Sequence, residues 1–100
     1  MVTLSVVVPA TDAPSTLERC TSAIAAADGP APQLIVVDGP GRLSAAAARN
    51  EGVRRACGDV VVFVDADVEV HADAFVRIRE IFEHRPGLTG VHGSYDDRPE

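Results

Sequence analysis

Three short runs, residues 4–8, 34–37 and 60–64, are apolar at nearly every position and rich in valine. A strand with one wet face alternates apolar and polar side chains, whereas a strand apolar on both faces must be covered on both. Three such runs in one chain therefore demand a parallel sheet with helices packed above and below it. The segments between them fit that demand. Residues 15–27 carry Ser15 and Glu18 in capping-box spacing, then Leu17, Cys20, Ile24 and Ala27 at intervals of three and four; this predicts a helix of about three turns. Residues 44–57 combine alanines and arginines of high helix propensity with a small-residue face of Ala48, Gly52, Val53 and Ala56 suited to close approach to the sheet. A third helix is expected over residues 72–84, burying Phe75, Ile78 and Phe82, and a fourth strand around residues 88–92.

The expected architecture is α/β, a mostly parallel sheet of about four strands with flanking helices and the first strand central. With 100 residues, the chain has room for one such domain. Ligands of sheets of this kind bind outside the carboxyl ends of the strands. Those ends carry residues 9–12, 38–41, 65–67 and 93–97, which include Asp12, Asp38, Asp65, Asp67, Asp96 and Asp97.

Composition removes several function classes. The net charge is −6, from 15 acidic and nine basic residues, so there is no cationic footprint for nucleic acid. All nine basic residues are arginines. Without lysine the chain cannot form a Schiff base or a P-loop, and it lacks the late-strand lysine of receiver-like signalling domains. No apolar stretch is long enough to span a membrane and no signal peptide is legible, so a cytoplasmic protein is expected. Cys20 and Cys57 are too far apart in sequence for a zinc pair and read as reduced core residues. His71, His84 and His92 show no ligand spacing. Gly39, Gly41 and Ser44 only partly match a dinucleotide loop, because they follow the second strand and enclose Pro40.

The acidic pair carries the chemistry. Continued as extended chain, Asp65 and Asp67 would point the same way about 7 Å apart. Hard carboxylate oxygens in that arrangement suit Mg²⁺ or Mn²⁺, which take one or two protein carboxylates and complete their shell with water and phosphate. A D-x-D triplet alone suits better a strand end that caps the next helix, and Glu69 beyond it suits a helix N-terminus.

The surroundings of the triplet are more specific. LSVVVP at 4–9, LIVVD at 34–38, ARNEG at 48–52, GD at 58–59 and FVDAD at 63–67 stand in the order found in family 2 glycosyltransferases, and the sequence resembles that family from end to end. The resemblance implies a Rossmann-like GT-A nucleotide-binding half. It also implies a UDP- or GDP-linked sugar as donor, a divalent metal (Mn²⁺ or Mg²⁺), and inverting transfer to an acceptor it does not identify. Carried over by position, Asp67 would be the metal ligand, and Asp65 would contact the ribose or the metal's water shell. Asp38 would lie by the nucleoside base, Pro9 would end the strand beneath it, and Arg49 and Asn50 match the family's helix motif. Arg49 is read as a donor contact or as one half of a surface ion pair, and Asn50 as a donor contact or a backbone-bonded side chain.

The chain departs from the pattern at Ala10-Thr11 after the proline, at Gly39-Pro40 after Asp38, and in a short stretch between Asp38 and Asn50. Family members are commonly two or more times longer, so the resemblance implies a domain lacking the half that supplies the acceptor site and the general base. Asp96 and Asp97 suit a solvated turn better than that role. The expectations that follow are self-association through the apolar face left bare, and, as the alternative to a transferase, a non-catalytic nucleotide-binding remnant.

Overall fold

A computed structural model describes residues 2–10, 15–37 and 44–85. They form β1 (Leu4–Pro9), α1 (Leu17–Ala26), β2 (Gln33–Val37), α2 (Ala45–Arg55), β3 (Val60–Phe63) and α3 (Ala74–His84). The three strands make one parallel sheet in the order β2-β1-β3. Val7 of β1 stands between Ile35 of β2 and Phe63 of β3, so the first strand is central, as its two apolar faces require. Among the described residues the sheet has three strands; the fourth, expected at 88–92, lies outside them.

Side-chain alternation along β1 divides the core in two. Leu4, Val6 and Val8 pack on one face with Cys20 and Ile24 of α1 and with Phe75 and Ile78 of α3. Val7 faces the other way, with Ile35, Val37 and Ala48 of α2. The sheet is therefore covered on both sides, and burying a side chain such as Phe75 or Ile78 contributes about 2 kcal/mol. The approach of α2 depends on Gly52, since a Cβ there would fall inside the Val7 side chain. Val53, expected on this small-residue face, instead points outward at 46% exposure, because the contact runs along the Ala48–Gly52 line, one position away. Leu34, Val53, Phe63 and Ile81 are the large apolar residues left exposed among those described. They stand one each on β2, α2, β3 and α3.

Polar bonds close the amino-terminal end of the sheet. The buried Ser5 hydroxyl donates to Gln33 Oε1 (2.6 Å) and accepts from the Gly58 amide (2.8 Å). Gln33 Oε1 also accepts from the Cys57 amide, and its Nε2 donates to the Arg55 carbonyl. Cys57 is thus held by its backbone at an exposed site, which corrects its expected place in the core; Cys20 is buried. Thr3 donates to Asp59 Oδ2 through both its amide and its hydroxyl, and the Asp59 amide returns a bond to the hydroxyl. These donors hold the Asp59 carboxyl below the usual carboxylate range. On the opposite layer the buried Arg79 donates to the Pro30 carbonyl (2.6 Å), fixing α3 to the turn that precedes β2.

Candidate functional site

Strand order β2-β1-β3, with α1 and α3 on one face and α2 on the other, puts the reversal of winding between β1 and β3. In doubly wound sheets the crevice for ligands opens outside the carboxyl ends of the strands at that point. Here it is flanked by Pro9 at the end of β1 and by residues 64–68 after β3.

Those residues do not prolong the strand. β3 stops at Phe63, although the Val64 amide still bonds to the Val7 carbonyl (3.0 Å). The chain then folds into a turn closed by the Val68 amide on the Asp65 carbonyl (3.0 Å). The expected extended geometry of Asp65 and Asp67 is therefore corrected to a turn, because the carbonyl of residue 65 is engaged within it. Ala66 is buried between the two acids, and both acids are exposed.

Two groups of α1 fasten this turn from below. Thr16 Oγ1 donates to the Ala66 carbonyl (2.9 Å), and Cys20 Sγ donates to the Asp65 carbonyl (3.5 Å). The capping box expected at Ser15 and Glu18 does not form. Thr16 is the N-cap residue of a helix that starts at Leu17, and its hydroxyl makes no capping bond. Burial pushes the Cys20 thiol up, and the negative charges of Asp67, Asp65 and Glu69 push it further the same way. Neither contact was legible beforehand: Thr16 and Ala66 are 50 positions apart, and nothing in the local pattern joins them.

Across the crevice, Arg49 reaches from α2 to Asp65, with Nη2 3.9 Å from Oδ1. Two of the residues singled out in the sequence, Arg49 and Asp65, are thus brought together. Both are substantially exposed, so the pair contributes at most about 1 kcal/mol. Asn50 is exposed on the same helix, and among the described residues its side-chain amide has no hydrogen-bond partner. Helix α2 begins where Ser44 caps it, accepting from the Ala47 amide (3.0 Å), which gives Ser44 a helix-starting role in place of a dinucleotide-loop one. Asp38, Asp96 and Asp97 lie outside the described residues. Beside the turn, an open polar groove along α1 is lined by Ser15, Glu18, Arg19, Ser22, Ala23 and Glu69.

Among the described residues no group of three or more His, Cys, Asp or Glu side chains is gathered closely enough to hold a metal by itself. Asp65 and Asp67 leave two exposed carboxylates on the turn, fewer than a cation needs without ligands from water or a bound molecule. Gly58 and Asp59 stand at the opposite end of β3 and serve the sheet.

No helix among the described residues is long and apolar enough to cross a membrane. No individual curated protein matches the chain. The family described as Glycosyl transferase family 2 matches residues 39–98, a span that holds α2, β3, the D-x-D turn and α3. With a covered parallel sheet, a winding reversal beside β1 and two carboxylates on the turn at that reversal, the chain belongs to glycosyl transferase family 2, and its α/β sheet is a Rossmann-like GT-A half.

Proposed function

We propose that the rim between β1 and β3 binds a nucleotide-diphospho-sugar together with Mg²⁺ or Mn²⁺, and that the chain serves inverting transfer of the sugar to an acceptor. The observation that carries this reading is the D-x-D turn itself, which puts Asp65 and Asp67 into solvent at the winding reversal while burying Ala66 between them.

Asp67 is the residue assigned to hold the cation, since it is exposed and no ion pair engages it among the described residues. Asp65, steadied by Arg49, contacts the ribose or the cation's water shell. Pro9 ends β1 beneath the base, with Asp38 assigned beside that base. The Arg49 guanidinium, beside Asp65, is assigned to the diphosphate, and Asn50 follows it on α2. A bound cation supplies positive charge against the negative charge that grows on the departing diphosphate. The chain's own part is to hold carboxylates and a guanidinium at fixed points around that diphosphate.

The test is a thermal-shift series with UDP and with GDP, each with and without Mn²⁺. A ligand that binds only the native state stabilises it by mass action, and a hundredfold excess over Kd raises the Tm of a domain this size by on the order of 10 °C. The expected result is a large shift with metal and nucleotide together and a small one with nucleotide alone. Equal shifts with and without metal would contradict the metal-bridged reading.

A further inference from the structure

Nothing among the described side chains fixes the direction of Asp67, and Asp65 is steadied only by a long, exposed ion pair to Arg49. The aim of both carboxylates is therefore set by the backbone of the turn. That backbone has three restraints: its own closing bond from Val68 to Asp65, the Thr16 hydroxyl on the carbonyl of residue 66, and the Cys20 thiol on the carbonyl of residue 65.

Thr16 and Cys20 are four positions apart and so share one face of the first turn of α1, joined by the Cys20 amide on the Thr16 carbonyl (3.1 Å). One helical ridge thus holds two consecutive carbonyls of the turn. Threonine at an N-cap ordinarily accepts from the helix's own amides, an interaction worth about 1 kcal/mol. The Thr16 backbone is helical (φ −83°, ψ −7°) and its hydroxyl makes no capping bond; it donates to the Ala66 carbonyl. The hydroxyl is thus committed to a contact 50 residues away, on the turn that carries the two acids.

We propose that Thr16 and Cys20 are positioning residues that set the aim of Asp65 and Asp67 by holding the turn's carbonyls. The inference rests on the reading of that turn as the cation and diphosphate site. It makes the start of α1 part of the donor site without any contact of its own to the ligand.

Calorimetry of the full chain with UDP and with GDP, in the presence and absence of Mn²⁺, tests it, with Tm recorded for each variant. Thr16→Val, which keeps the side-chain shape and removes the hydroxyl, is expected to raise the Kd of the metal-dependent complex about tenfold and to leave metal-free nucleotide binding unchanged. Thr16→Ala, which removes the hydroxyl with less bulk, is read beside it and follows the same pattern. Thr16→Ser restores the wild-type value. Cys20→Ala weakens metal-dependent binding less than Thr16→Val does, and Cys20→Ser, which keeps a donor, preserves it. A merely structural role would lower Tm and both affinities together. Thr16→Val and Thr16→Ala with an undiminished ratio of metal-dependent to metal-free affinity would overturn the inference while leaving the site intact. A wild-type chain with no metal-dependent binding would overturn the site itself, and this inference with it.

Discussion

The two ends of the sheet treat their polar residues in opposite ways. At the amino-terminal end, Ser5, Gln33, Gly58, Asp59 and Thr3 bond to one another across β1, β2 and the approach to β3. At the carboxyl end, the D-x-D turn is restrained through its backbone, and its carboxylates stand in solvent with only the Arg49 pair between them and water. Gly58-Asp59 and Asp65-Ala66-Asp67 are neighbours in the family's motif order, yet the first holds the sheet together and the second is left available. Acidic residues whose hydrogen-bonding capacity is spent inside the fold lower their own pKa and add stability. Those whose side chains carry no hydrogen bond from the fold are the ones that can meet a cation.

The largest effect on this contrast is expected from Gly58→Ala. A Cβ there would come within 2.8 Å of Ser5 Oγ and within 2.9 Å of the Leu4 carbonyl carbon and the Ser5 nitrogen. The Ser5 hydroxyl can turn, but the backbone of a central strand cannot, so the substitution costs about 1–3 kcal/mol. Urea denaturation reads the loss, and the nucleotide affinity of the folded fraction should not change. A Gly58→Ala chain that keeps its stability but loses binding would reverse the roles assigned to the two ends.

A smaller effect is expected at Asp59. Its pKa is lowered in the folded chain by the two Thr3 donors, so its contribution is present above the ordinary carboxylate value and is lost as pH falls through the lowered one. The wild-type chain should therefore exceed Asp59→Asn in urea midpoint at neutral pH, with the difference closing on acidification. A gap that widens as pH falls would mean that the carboxylate is not held by Thr3 in the way described.

The parts of this arrangement legible in the sequence were those fixed by neighbours along the chain. Apolar runs at 4–8, 34–37 and 60–64 announce covered strands, since a strand apolar on both faces needs cover on both, although Leu34 and Phe63 within them stay exposed. Phe75 and Ile78 announce the inner face of α3 through their spacing, and both are buried. What was not legible depends on partners far away in sequence. The Thr16 hydroxyl at the start of α1 bonds to Ala66 while the Ser15 and Glu18 capping box does not form, and the Cys57 backbone is held at its exposed place by Gln33. The D-x-D triplet reads as extended chain because no glycine or proline interrupts it, whereas the bond between Val68 and Asp65 turns it. The Asp65 and Asp67 pair could be named from its spacing, and Pro9, Asp38, Arg49 and Asn50 from the resemblance to the family; only the folded chain brings Arg49 against Asp65.

The availability of the carboxyl-end acids is tested most directly by Asp67→Asn. The substitution nearly conserves volume at an exposed position, so the stability read by urea denaturation should change by no more than about 0.5 kcal/mol. Titration calorimetry with UDP and with GDP, each with and without Mn²⁺, should show that the folded variant has lost the metal-dependent part of nucleotide binding found in the wild-type chain. Unchanged metal-dependent affinity in a folded Asp67→Asn chain would contradict the account.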